Sequence, residues 1–327
     1  MLHHAVRTIF RAAAGAPLAA GLLLVFFTAA EAGPLAFVAS NGKDANACTR
    51  TAPCRTLQRA HNVADAGGEV QVLNSGNYRT LLRIRKSITI SGAGALATAG
   101  RVVIDKGNAV VTLRGLHLHG DGLGDVNGIQ ISAARAVHIE DCEIERFRRA
   151  GIRLGNVSAE LFVSDTVSRD NGGSGLAVFG AGNALTKLTV DNSRFENNGD
   201  SGIAVEAADS SITRSVAAGN AGQGIRQTGD AGGRMHIEST SASQNADGLF
   251  LSAGTMVLES VAANRNQFNG LFVAATSGGA LISNSTFTNN GTGINNSGVI
   301  ATRKNNTLEL NTTDLDGGGT VNQFFGF

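Results

Sequence analysis

Eight glycines from residue 128 onward, each followed by Ile or Leu, recur at intervals of 22 to 27 residues. They are Gly128, Gly151, Gly175, Gly202, Gly224, Gly248, Gly270 and Gly293, and each opens a segment such as Asn127-Gly128-Ile129-Gln130-Ile131 or Asp247-Gly248-Leu249-Phe250-Leu251. Such a period, holding three short strand-like pieces, suits one turn of a β-solenoid, in which every turn buries its apolar residues on those of its neighbours. The repeat constrains the architecture strongly and the activity hardly at all.

Aligning the periods on their glycines yields stacked apolar rows. One row is Ile129, Ile152, Leu176, Ile203, Ile225, Leu249, Leu271 and Ile294. Two residues on comes Ile131, Leu154, Val178, Val205, Gln227, Leu251, Val273 and Asn296, and period-two alternation puts both rows on the inward face of one strand. Gln227 and Asn296 mark sites that are locally polar or out of register. A second strand carries Ile139, Val163, Val190, Ile212, Ile237, Leu258 and Ile282. The third carries Ile144, Phe195, Ala217, Ala242, Ala263 and Phe287, its alanines implying a narrower interior.

Asparagine repeats as well, at Asn171, Asn198, Asn220, Asn245, Asn266 and Asn290, three or four residues before a glycine. Amides stacked at a sharp turn satisfy buried carbonyls and one another, so this ladder reads as structural and needs no ligand. Cys142 falls where other periods place Thr166, Ser193, Ser215, Thr240, Val261 and Ser285, which reads as a small buried side chain rather than a reactive thiol.

The earlier coils are less regular. Val70 to Leu73, Leu82 to Ile84, Ile88 to Ile90, Val102 to Ile104, Val110 to Leu113 and Leu116 to Leu118 supply strands for further turns, giving about ten coils in all. Before them, Thr56 to Ala66 places Leu57, Ala60, Val63 and Ala64 at helical spacing and stops at Gly67-Gly68, a short helix suited to cover an open strand edge. The tail 311–327, with Phe324, Phe325 and Phe327, is expected to cover the other end. Arg7 and Arg11, the apolar run Leu18 to Ala30 and the small-x-small site Ala30-Glu31-Ala32 read as a secretory signal peptide over 1–32. Pro17 and Gly21 interrupt that run and count against an uncleaved anchor. The domain division is therefore 1–32 for the signal and 33–327 for the solenoid, within which 33–69 is a lead-in segment with its capping helix. Cleavage takes Arg7, Arg11 and Glu31 from a chain of 27 basic and 26 acidic residues and leaves the charges balanced, so no overall field draws nucleic acid. In an oxidising compartment Cys48 and Cys54, close together beside Pro53, are expected to bond.

The repeats Asn198 to Val205 and Asn245 to Leu251 resemble those of right-handed parallel β-helix proteins of the pectate-lyase-like superfamily. Phe37-Val38-Ala39-Ser40-Asn41-Gly42-Lys43-Asp44, Pro53-Cys54-Arg55-Thr56-Leu57 and Gly67-Gly68-Glu69-Val70 are similar to the opening of many exported members. The resemblance implies the all-β fold and an extracytoplasmic location. Its relatives span polysaccharide lyases, glycoside hydrolases, epimerases and adhesins, and in the enzymes substrate lies along the outer face of one sheet. An enzyme of this kind would be a polysaccharide lyase or glycoside hydrolase; a non-enzymatic surface, scaffold or adhesion protein is the competing class.

The outward positions of the glycine-led strand are Gln130, Arg153, Ala177, Ala204, Arg226, Phe250, Phe272 and Asn295, with Ser132, Gly155, Phe179, Glu206, Thr228, Ser252, Ala274 and Ser297 two residues on. Glycoside hydrolysis needs two carboxylates facing one bond, and Glu206 has no acidic neighbour in these rows; it reads as a surface partner of Arg226. The turn holding Arg146, Arg148 and Arg149 leads into Arg153, and such guanidiniums recognise carboxylates or sulfates of an acidic glycan. Arg148, Arg149, Arg153, Glu206, Arg226, Phe250 and Phe272 are thus the candidate glycan-binding residues. His117 and His119 face Glu143 and Glu145 one coil later, with Asp121 and Asp125 nearby. That set reads as solvated cross-strand pairs, with a divalent-metal site as its second reading. No cofactor is expected; calcium has no clear motif.

Overall fold

The computed structural model describes residues 35–323 apart from 79, 93–96, 181–185, 207 and 230–232. The expected signal peptide and Phe324, Phe325 and Phe327 lie outside the described residues. Three parallel sheets make up the fold, one of 13 strands and two of 11. In each coil the chain passes from the long sheet to a sheet of mostly three-residue strands and then to the glycine-led sheet. Among the described residues the strands close eleven coils, in keeping with the expected ten or so.

The inward rows stack in the anticipated register. Ile129, Ile152, Leu176, Ile203, Ile225, Leu249, Leu271 and Ile294 are partners on successive rungs, and all are buried. Gln227 and Asn296 remain in register and only 1% exposed, so they are locally polar. The Gln227 amide donates to the Gly233 carbonyl, and Asn296 donates to Thr320 O while accepting from Gly298 N. In the short-strand sheet Ser168 occupies the inward site between Ile144 and Phe195, and its hydroxyl donates to Gly175 O at 2.8 Å.

Close approach explains the repeating glycines. A Cβ on Gly248 would lie 2.6 Å from Gly270 O and 2.8 Å from Asn266 Nδ2, and one on Gly270 would lie 2.5 Å from Gly293 O. The backbone packs there against the next coil and against the asparagine ladder, leaving no volume for a methyl group. The ladder is complete: Asn198 Nδ2 donates to Asn220 Oδ1 at 3.0 Å, Asn220 to Asn245 at 2.9 Å, and Asn290 to Asn311 at 3.0 Å. Each amide also donates to a backbone carbonyl one coil back, as Asn220 does to Phe195 O at 3.0 Å. At the other sharp turn hydroxyls accept from the backbone of the preceding coil, Ser215 Oγ from Ser193 N and Thr240 Oγ1 from Ser215 N, each at 3.2 Å. Cys142 lies in this second row, buried, its thiol pushed up to about 12 by desolvation and so inert as a nucleophile.

At the first coil the helix spans Leu57–Val63, shorter than the 56–66 expected, because Ala64 is already extended at ψ 149°. Thr56 caps it by accepting from Arg59 N at 3.2 Å. Its buried residues Leu57, Ala60 and His61 pack towards Leu35–Val38, Glu69–Val72 and Leu82–Ile84. Cys48 and Cys54 are disulfide-bonded, and their backbones flank Phe37 through Phe37 N to Cys48 O and Cys54 N to Phe37 O. In the tail, Thr313–Asp316 and Thr320–Gln323 are strands that extend two of the sheets. No helix among the described residues is long and apolar enough to cross a membrane.

Candidate functional site

Two outer faces carry the chemically equipped side chains. On the glycine-led sheet, Arg153, Ala177, Ala204, Arg226, Phe250 and Phe272 occupy consecutive rungs of one row. Phe250 and Phe272 stack with centroids 5.0 Å apart and planes 13° from parallel. Arg226 is the next rung before them, its guanidinium Nη2 3.6 Å from Asp200 Oδ2. At the other end of the row the Arg153 guanidinium lies 4.6 Å above the Phe179 ring. Ala177 and Ala204, both 5% exposed, form a low stretch between the two arginines. Three rungs separate Arg153 from Arg226, about 14 Å at strand spacing, too far to clamp one group together.

The expected pairing of Glu206 with Arg226 is corrected: Arg226 turns to Asp200, and Glu206, beside Thr228, is exposed without an ion pair among the described residues. A carboxylate on a turn reaches the guanidinium where the strand-borne one, a rung diagonal, does not. The arginine turn is partly spoken for. Arg149 Nη2 meets Asp125 Oδ2 at 2.7 Å, and Arg146 Nη1 lies 3.4 Å from Asp121 Oδ2. The hydrogen bond from Arg149 holds the Asp125 carboxyl below the usual range. Arg148 is exposed.

The second face belongs to the short-strand sheet. Register puts Glu143 opposite His117, Glu145 opposite His119, and Arg169 opposite Glu145 one coil later. His117 Nε2 is 3.0 Å from Glu145 Oε1 and 3.8 Å from Glu143 Oε2, and His119 Nε2 is 3.6 Å from that same Glu145 oxygen and 3.5 Å from Asp121 Oδ2. Arg169 Nη2 lies 2.6 Å from Glu143 Oε1 and 2.5 Å from Glu145 Oε2, while its Nη1 reaches Asp170 at 2.7 Å. The hydrogen bond to Glu143, opposed by desolvation and aided by the charges of Glu145 and Glu143, holds this guanidinium above its ordinary range. Glu145 is 5% exposed, a carboxylate sunk beneath its partners.

This cluster adjoins a cleft of about 650 Å³ lined by Arg55, Thr56, Asn77, Tyr78, Thr80, Asp121, Gly122 and Leu123. Asn77, Thr98, His117 and Glu143 are successive rungs of one outward row, and Asp121 belongs to both cleft and cluster. Sequence reasoning missed the cleft, since its walls come from residues 55–80 and 121–123, outside the regular repeat. It also missed Asp200, whose place on a turn gives no periodic signal. The facing of His117 and His119 with Glu143 and Glu145 was readable because strand alternation fixes it.

A family model described as "Right handed beta helix region" matches residues 60–213 and 186–313. Among solved structures, the A-module of Azotobacter vinelandii mannuronan C-5 epimerase AlgE4 is similar at TM-score 0.60 and 14% identity, covering 80% of this chain and 91% of that one. The A-module of AlgE6 from the same organism gives TM-score 0.54 and 15% identity over 81% and 91%. A complex of XylC with xylose gives TM-score 0.53 and 10% identity over 89% and 70%. No curated protein matches the sequence.

Proposed function

Since the chain belongs to the right-handed β-helix family, we propose that it is an exported protein whose glycine-led outer face recognises an extended acidic polysaccharide. The row Arg226, Phe250, Phe272 carries this reading: a guanidinium held by Asp200 stands one rung from two parallel aromatic rings. Aromatic planes suit the apolar faces of sugar rings, and the fixed cation suits a carboxylate on the same chain. Arg153 over Phe179 offers a second cation and ring along the row, with Arg148 and Arg149 at the turn that leads into it. The mannuronan C-5 epimerase modules of like fold support a polyuronate as the ligand class. The Cys48–Cys54 bond and the expected signal peptide support export.

Recognition is favoured over bond cleavage on this face. Glu206 has Phe179, Thr228, Ala204 and Arg226 on its own and adjacent rungs, so paired-carboxylate hydrolysis lacks its second group there. The test is calorimetric titration of the full chain with polymannuronate and with a neutral glucan, at low and high salt. The polyuronate should bind, more weakly as salt rises. Phe250→Ala with Phe272→Ala should lower its affinity about tenfold, the worth of one well-formed stacking contact. Gln at Arg148, Arg149 and Arg153 together should flatten the salt dependence. Equal binding by all variants would remove this face as the docking surface, and no glycan binding would leave the scaffold or adhesion reading.

A further inference from the structure

We propose that His117, Glu143 and Glu145 form a binding site for a divalent first-row metal ion of the zinc type, with His119 at its rim beside Glu145. The ligand atoms of the first three all lie within 4.8 Å of one another. Two donors held tetrahedrally about 2.05 Å from one ion stand about 3.3 Å apart. The two separations from His117 bracket that value, 3.0 Å from its Nε2 to Glu145 Oε1 and 3.8 Å to Glu143 Oε2, and the two carboxylate donors lie within 4.8 Å of each other. The donors therefore need small rotations, without movement of the strands that carry them.

Burial and charge point the same way. Glu145 has 6% of its side chain exposed, and its Oε2 accepts no hydrogen bond; Arg169 Nη2 lies 2.5 Å away without the alignment of one. A carboxylate so deeply placed requires a cation, and two carboxylates share a single guanidinium. Arg169 is then the resident cation that a metal must displace. It has somewhere to go, because Asp170 already holds its other nitrogen at 2.7 Å. Asp121 opens the cluster to the neighbouring cleft, which supplies a path for the ion and room for an exogenous ligand on it. Imidazole among the donors selects zinc-type ions over calcium, whose shells are built of oxygen.

The site lies on a different sheet from the proposed glycan row and does not depend on it. The experiment is titration of the chelator-treated full chain with Zn2+, and with Co2+ followed by visible absorption. One His117-dependent equivalent is expected, with the d–d bands of low-coordinate cobalt. His117→Ala should weaken binding about 100-fold or more. Arg169→Gln, which removes the competing cation and leaves the ligands in place, should tighten it about tenfold. Glu145→Gln serves as a further ligand variant only if its circular dichroism matches the wild type; the first two substitutions carry the test without it. Zinc uptake no better in wild type than in His117→Ala would overturn the site. So would weaker binding in Arg169→Gln, or displacement of zinc by an equal concentration of Ca2+.

Discussion

From Gly175 onward each coil is closed by the same three devices: a glycine pressed on the next coil, an asparagine bonded to its counterpart, and, at most coils, a hydroxyl at the opposite turn. Residues 35–126 close their coils with singular ties instead. Asp44 accepts from Arg55 N, Thr56 N and Thr56 Oγ1; Asn74 accepts from Ser40 N and Tyr78 OH; Gln58 bridges the backbone N and O of Arg83. Where a residue type recurs with the coil, its bonding capacity is used by the coils above and below, and nothing is left for a ligand. Where it does not recur, it is free for local work. His117, His119, Glu143, Glu145 and Arg169 sit at the boundary: on the rungs beyond the Arg194 and Glu196 pair the matching outward positions are filled by Val216, Ala218, Ser241 and Ser243.

The sharpest way to break this contrast is a charge inside the regular stack. Leu249→Asp buries a carboxylate between Ile225 and Leu271 with no partner and should lower stability by at least about 4 kcal/mol, spreading to adjacent coils. Ser252→Ala, on the outer face of the same coil, should stay within about 0.5 kcal/mol. Denaturant midpoints of the two variants settle the inside-outside assignment, and similar midpoints would sink it.

A ladder residue should matter more than a singular one. Asn220→Ala strands the Asn198 backbone N–H inside the coil and removes one donor from Phe195 O and one from the Asn245 oxygen, which keeps its bond from the residue-220 N–H, for about 3 kcal/mol. Asn74→Ala removes an acceptor from Ser40 N and Tyr78 OH in a half-buried setting, and Tyr78 OH keeps its bond to Asn74 O; about 1 kcal/mol is expected. Equal losses by equilibrium unfolding would mean that stacking adds nothing to the individual bonds.

Glycines separate the regions by sign. Gly248→Ala drives a methyl group into Gly270 O and should cost about 2 kcal/mol. Gly107 in the early coils has nothing within 4 Å of a Cβ and no positive φ, so Gly107→Ala should stabilise by about 0.5 kcal/mol through the unfolded chain. Melting temperatures moving the same way in both would remove close approach as the reason for the repeat.

The same contrast governs what the sequence discloses. Ile129 through Ile294 could be placed rung by rung because each period repeats the choice, and the pairing of His117 with Glu143 followed from alternation alone. The count of about ten coils was readable from the same repetition, although Gly76–Tyr78 and Ala97–Ala99 offer two apolar residues or fewer per strand. The helix ended early since propensity does not register the extended turn at Ala64. Asp200 and the cleft at Arg55 and Asn77 were illegible for one physical reason: their positions depend on turn conformations that no periodicity encodes. Within the candidate face, the row Arg226, Phe250 and Phe272 was readable, and the partner that fixes Arg226 was not.

The smallest expected effect tests one singular tie through pH. Burial raises the Asp44 carboxyl, but hydrogen bonds from Thr56 and Arg55 and the charge of Arg59 outweigh it, and the net position is below the usual aspartate range. A group depressed on folding contributes stability that is present above its unfolded value and fades as pH falls through its folded one. The lead-in segment should therefore loosen as pH falls below the ordinary aspartate value, while a ladder of neutral amides has no proton to gain there. Asp44→Asn keeps the size of the side chain and removes the titration. Hydrogen exchange at Arg55 N and Thr56 N, which both bond to Asp44 Oδ1, should accelerate on acidification in the wild type beyond the intrinsic trend and should not do so in the variant. Amides of Asn198 and Asn220 serve as the internal reference, bonded to asparagine oxygens that do not titrate. Parallel acid responses at both sets, or an unchanged response in Asp44→Asn, would show that this carboxylate does not hold the helix start.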